Sequence, residues 1–232
     1  MENKEIYNNT IFEPSKNLLK ILYTIKNNPR NKEQKEIGKY TSDYFVNSNN
    51  IDIKSVLQSI NSQLKEINDK KITNHDFLGK DYFSFSATGG TFYGDNLECF
   101  NIGDTGIILL DEFLDKIYST KNDTEEDVQK RNKDIVYICQ ENFGSNKCRS
   151  NYKSIFRNTG SADAYGSLTG EKAALEHIDY YNFSLLSAKY IIAFSKGYKD
   201  ILENKSNLEE LLIKEKKIKP KTEGTIICYK RQ

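Results

Sequence analysis

A chain of 232 residues with a formal charge of +1, from 34 basic and 33 acidic side chains, can bury a sizeable core. It carries no net field that would draw it to nucleic acid or to an anionic membrane. No apolar run approaches the roughly 18 residues of a membrane span, and Met1–Asn9 (MENKEIYNN) lacks a charged-then-apolar leader, so the expectation is one soluble, cytoplasmic domain over 1–232.

Residues 1–17 are polar, hold Pro14 and read as an edge strand or loop. Leu18–Ile25 (LLKILYTI) is an apolar run of strand length, closed by turn chemistry at Lys26-Asn27-Asn28-Pro29. Ile37, Tyr40, Thr41, Tyr44 and Phe45 recur at helical spacing and predict an amphipathic helix over 32–46. After a break with cap candidates at Asn49–Asp52, the stripe Val56, Leu57, Ile60, Leu64 and Ile67 predicts a second helix over 53–67.

The stretch Tyr82–Glu112 predicts strands over 83–87, 97–102 and 107–110. Gly103-Asp104-Thr105-Gly106 supplies a reversal, because glycine tolerates positive φ and aspartate bonds its own backbone. The expectation is three consecutive strands in the middle of one antiparallel sheet.

Beyond Glu112 the chain turns polar, and the charged run 121–133 opens what reads as a surface insertion over 121–152. Asp134–Cys139 and Lys153–Arg157 look like short strands bracketing a cysteine-containing loop. Ala164–Glu171 is a glycine turn leading into a short helix over 172–178. A strand over 189–195 ends in Ser195-Lys196-Gly197, followed by a helix start, a last helix over 208–213 and a closing strand over 224–229. Cys99 and Cys228 lie in strand-like runs and read as small buried hydrophobes. Cys139 and Cys148 flank a polar segment and would pair only under oxidation. His75 and His177 are too scattered for a zinc site.

The order Ser86-Ala87-Thr88-Gly89-Gly90-Thr91, strand, Asn101-Ile102-Gly103-Asp104-Thr105-Gly106, strand resembles the central meander of the metal-dependent serine/threonine protein phosphatases of the PPM family, type 2C. The likeness spans most of the chain in the right order. It implies an α+β fold of the α-β-β-α sandwich type, two mostly antiparallel sheets flanked by helices. It also implies a cleft in which aspartates hold two Mg2+ or Mn2+ ions that activate a bridging water.

Hard cations need oxygen ligands, so acidic residues are the minimum for that chemistry. Carried over position by position, this chain lacks them. Near the first strand it has Asn8 and Asn9, with Glu13 the nearest acid; after Leu18–Ile25 it has Lys26-Asn27 in place of Asp-Gly. At the Ser-Asp-Gly turn it has Ser195-Lys196-Gly197. Before the last strand Thr222 takes the ligand position, with Glu223 one residue out of register, and Arg30 is the first arginine in the chain. Asp104 belongs to the turn framework. An ammonium about 4 Å from a dication is opposed by roughly 8 kcal/mol at an effective dielectric near 20, before the lost carboxylate attraction is counted.

The reading that follows is a pseudophosphatase that has no cofactor and binds a protein partner, a phosphoprotein or kinase, without hydrolysis. The lysines would stand where cations once did. The alternative is an active Mn2+- or Mg2+-dependent phosphatase using Glu13, Asp104, Asp200 and Glu223. A third is a structural domain sharing only the strand pattern.

Overall fold

The computed structural model describes residues 22–24, 52–71, 83–121, 128, 130–214, 216, 218–220 and 224–231. They fall into two compact units: the described residues of Met1–Thr24, Ala87–Asn122 and Asp179–Gln232, and those of Ile25–Ser86 and Asp123–Ile178.

The first unit holds the sheets. Its strands are β1 (Leu22–Thr24), β2 (Ser86–Tyr93), β3 (Asn96–Ile102), β4 (Thr105–Leu110), β5 (Lys116–Ser119), β6 (Asp179–Ser184), β7 (Tyr190–Ser195) and β8 (Ile226–Lys230). They form two four-stranded sheets, ordered β1-β2-β3-β6 and β5-β4-β7-β8. The pairs β2–β3, β3–β6, β4–β5, β4–β7 and β7–β8 are all antiparallel.

The runs TGIILL and YIIAFS are buried at every position because both of their faces are covered. Ile107, Leu109, Ile191, Ala193, Ile227 and Tyr229 point inward and meet Phe92, Leu97, Cys99 and Phe183 of the other sheet. The alternate side chains, Ile108, Leu110, Ile192, Phe194 and Ile226, point outward. There they pack against Tyr198 and against Leu202, Leu208, Leu211 and Leu212. These leucines come from two short helices at the C-terminal end of the chain, Lys199–Leu202 and Lys205–Leu212. Each fully buried aliphatic side chain contributes about 1.5–3 kcal/mol, so the double coverage explains why alternation is missing from the sequence.

The second unit is largely helical. Helix α1 (Ile53–Lys71) starts at Asp52, whose carboxylate accepts from Lys54 N at 3.2 Å and Ser55 N at 3.3 Å. The Ser55 hydroxyl donates to the same carboxylate and holds it below its ordinary pKa. The predicted stripe is buried at Val56, Leu57, Ile60 and Leu64. On that helix Asn61 binds Gly170 and Glu171, and Asn68 binds Phe83 and Thr169, all through backbone groups. Helix α2 (Lys133–Phe156) breaks at Gly144, where φ is 72° and ψ is 161°. The two C-terminal helices named above are α3 (Lys199–Leu202) and α4 (Lys205–Leu212). No helix among the described residues is long and apolar enough to cross a membrane.

Three expectations are corrected. Asp134–Cys139 and Lys153–Arg157 are not strands but parts of α2: Tyr152 and Phe156, one turn apart, pack with Val128 and Tyr165. The first strand of the meander lies at Ser86–Tyr93, not 83–87, because the Gly-Gly pair stays in the ladder, with Gly90 opposite Cys99. The meander is not one sheet either: β2 and β3 belong to the first sheet and β4 to the second, so Gly103–Asp104 is a crossover between layers. The short helix expected after Glu171 is present, as the 3-10 helix Lys172–His177. The regions 1–17 and 32–46 lie outside the described residues.

Candidate functional site

Strands β4 and β7 run side by side through the middle of their sheet. Their register sets Thr105, the first residue of β4, opposite Ser195, the last of β7. The β3–β4 crossover and the exit of β7 are thereby brought to one end of the sandwich.

The polar side chains at this end hold one another. Thr105 Oγ1 donates to Asn101 Oδ1 at 2.9 Å, and Asn101 Nδ2 donates to the Lys121 carbonyl at 2.6 Å. One amide therefore fastens the crossover to Lys121, two residues past the end of β5. Thr120 Oγ1 accepts from Ile107 N at 2.9 Å. Ser195 N donates to the Thr225 carbonyl at 2.9 Å, and Thr225 N donates back to Ser195 Oγ at 2.8 Å. Lys121 N donates to the Tyr181 hydroxyl, whose pKa is raised chiefly by burial.

Lys196 follows directly. It is half-buried and opens the 3-10 turn Lys196–Tyr198, which runs into α3. The turn is pressed against the residue that leads into β8. A Cβ on Gly224 would lie 3.0 Å from the Tyr198 ring and 3.1 Å from Gly197 Cα, closer than ordinary contact. The Ser-Lys-Gly turn is thus fixed on both sides, by the Ser195–Thr225 pair and by the Gly197–Gly224 contact.

Of the residues singled out in the sequence, Lys196 and Gly197 occupy this turn, and Asp104 is buried in the adjacent crossover. Asp200 is exposed on α3. Asn9, Glu13, Lys26, Asn27, Thr222 and Glu223 lie outside the described residues. The sequence reading missed Asn101, Thr120 and the partnership of Ser195 with Thr225. Asn101 carries a usable signal, an amide four residues before a threonine across a Gly-Asp turn.

A charged lysine offers three donors and no lone pair, and the oxygens of Ser195, Thr105 and Asn101 are engaged in internal bonds. Among the described residues no three His, Cys, Asp or Glu side chains converge on a point where a metal ion would sit.

No protein-family model matches the chain, and no curated protein matches it. Solved structures do. A serine/threonine phosphatase from S. agalactiae superposes with a TM-score of 0.53 at 12% identity, over 85% of this chain and 75% of that one. A bacterial serine phosphatase bearing an arginine substitution gives 0.52 at 14% identity, over 90% and 76%. Another arginine variant of a bacterial serine phosphatase gives 0.50 at 12%, over 85% and 71%. Likeness at such identity shows the fold. The expected α+β arrangement of two antiparallel sheets with helices, similar to that of the PPM-type phosphatases, is borne out.

Proposed function

We propose that the chain is a phosphatase-like scaffold without phosphatase activity, a binding or regulatory module for a protein partner such as a phosphoprotein or a kinase. The observation that carries this reading is Lys196, held between Ser195 and Gly197 in the turn that ends β7. By the resemblance, that turn is where a metal-binding aspartate would stand. An ammonium repels a dication and offers it no ligand. A lysine that turned neutral in a drier site would still not replace a carboxylate.

The chain's own groups can still do something there. Ser195, Thr225 and Gly224 fix the backbone, so the Lys196 side chain leaves a rigid support. A rigid cation at a strand end can orient an acidic or phosphorylated side chain without any bond being broken.

Calorimetric titration with Mn2+ tests the reading without a guessed substrate, alongside turnover of p-nitrophenyl phosphate and a phosphopeptide. No saturable heat and no metal-stimulated hydrolysis are expected. Saturable Mn2+ binding with turnover that disappears in Glu223→Ala would overturn the proposal in favour of an active enzyme with an unusual ligand set.

A further inference from the structure

Two large apolar side chains stand out into solvent, and both belong to turns at one end of the sandwich. Leu186 is 76% exposed and Phe113 is 67% exposed, the two highest values for such side chains among the described residues. Phe113 lies in the turn between β4 and β5, and Leu186 in the turn between β6 and β7. Leu110, the last residue of β4, pairs with Tyr190, the first of β7, and its carbonyl accepts from Lys189 N at 2.8 Å. The two turns therefore leave neighbouring strand ends, at the end of β7 opposite to the Lys196 turn.

Neither turn is loose. Asp111 Oδ1 accepts from Phe113 N and from Asp115 N, each at 2.9 Å. Leu114 has φ 65°, a conformation that leucine keeps only where its surroundings hold it, and its side chain is buried. The turn thus tucks Leu114 in and leaves Phe113 out. Beside Leu186, the Arg231 guanidinium donates to the carbonyls of Leu185 and Ala188 and to the Asp95 carboxylate. One exposed apolar side chain is ordinary, but two held out on neighbouring fixed turns form a patch that loses little entropy when it is covered.

The charges at this end indicate what covers it. Asp95 is paired with Arg231 and Asp115 with Lys205, each at 2.8 Å. Asp111 is taken up by the two amides, and Lys230 sits over the Tyr190 ring. Glu112, Lys116 and Lys189 have no ion-pair partner among the described residues. The signs nearly balance, which favours neither an anionic lipid surface nor a strongly charged partner. Their placement is self-complementary: the exposed Glu112 directly precedes Phe113, and the half-buried Lys189 follows three residues after Leu186.

We infer that this patch is covered by a second copy of the chain in a two-fold symmetric dimer. In such an interface residue i meets residue j and j meets i. Phe113 of each copy lies on Leu186 of the other, and Glu112 then faces Lys189, twice over. The interface is separate from the Lys196 turn and does not depend on the reading given for it.

The test is sedimentation equilibrium of the full chain from about 1 μM to about 1 mM, a range that spans weak to moderate self-association. A reversible monomer–dimer equilibrium is expected. Phe113→Ser should weaken it at least about tenfold, because the change enters the interface twice. Glu112→Lys and Lys189→Glu should each weaken it by about the same factor, since each sets like charges against one another. An equal mixture of these two variants should dimerise again, because each then offers the other the opposite sign at both contacts. A variant that had only misfolded would not recover in this way. A chain that stays monomeric throughout the range, an equilibrium untouched by Phe113→Ser, or a mixture that dimerises no better than its components would overturn the proposal. Binding of the monomer to phosphatidylcholine vesicles would overturn it in favour of a membrane surface.

Discussion

Ser195 and Thr225 are bonded to each other twice. The Ser195 amide donates to the Thr225 carbonyl at 2.9 Å, and the Thr225 amide donates to the Ser195 hydroxyl at 2.8 Å. The first bond extends the β7–β8 ladder one step past Phe194 and Ile226, the last pair in register, and in the second the serine hydroxyl stands in for a backbone acceptor. Ser195 immediately precedes the 3-10 turn that Lys196 opens. Ser195 is only 1% exposed, so Ser195→Ala would leave the Thr225 amide facing a methyl group with little water at hand. A loss of about 1–3 kcal/mol in urea unfolding is expected.

Gly170 and Asn61 join helix α1 to the segment that follows Leu168. Gly170 has φ +87°, and a Cβ there would lie 2.5 Å from Lys65 Cα, inside the backbone of α1. Asn61 Oδ1 accepts from Gly170 N at 2.9 Å, and its Nδ2 donates to the Glu171 carbonyl at 2.9 Å. Asn61 is buried, so Asn61→Ala strands both backbone groups and should cost about 2–4 kcal/mol. Gly170→Ala should cost at least as much, because the clash is with main chain that cannot swing aside and the conformation is strained as well. Urea midpoints for the two variants check this. A near-neutral Gly170→Ala would mean that α1 does not pack against this turn.

How much of this could be read from the sequence follows from how each element is buried. α1, β3, β4 and β7 were legible because burial on one stripe or on both faces writes a helical period or a continuous apolar run. β5 and β6 were not, because edge strands leave most of their side chains in solvent and show no apolar pattern. Ile135 and Val136 in α2 are β-branched and resemble a strand, yet Ile135 is 46% exposed and its helix is set by contacts further along, at Tyr152 and Phe156. The Gly103–Asp104 turn has the same local chemistry in a hairpin and in a crossover. Only the pairing of β4 with β7 decides between them. At the site, Lys196 stood out because Ser195 and Gly197 framed it. Asn101 is marked only by Thr105 four residues on, and Thr225 acts on Ser195, 30 residues away in sequence, with nothing local to mark it.

Burial pushes the Cys99 thiol up to about 12 from an ordinary value of 9.0. The Cys228 thiol is displaced to about 12 by the same cause. In the unfolded chain both thiols ionise near 9, so above that pH the unfolded state binds fewer protons than the folded one. Stability is therefore full below pH 9 and falls as pH rises towards 12. For Cys99 the slope reaches about 1.4 kcal/mol per pH unit. Urea midpoints measured between roughly pH 8 and pH 10.5 should fall less steeply in Cys99→Ala than in the parent, whatever the offset its cavity introduces. Equal slopes would mean that the thiol ionises in the folded state as it does in water.

Asn204 and Lys205 are neighbours with opposite expectations. Asn204 caps α4: its Oδ1 accepts from Ser206 N at 2.9 Å and from Asn207 N at 3.4 Å. That helix lays Leu208, Leu211 and Leu212 on the outer face of the second sheet, so fraying its first turn loosens buried contacts. Asn204→Ala should cost about 1 kcal/mol. Lys205 Nζ lies 2.8 Å from the Asp115 carboxylate, which raises the lysine pKa, but both side chains are more than half exposed. Water screens the pair and holding two long side chains costs entropy, so Lys205→Ala should leave the urea midpoint unmoved. If the two substitutions cost the same, the Asp115 contact would have to be tying the β4–β5 turn to α4 rather than decorating it.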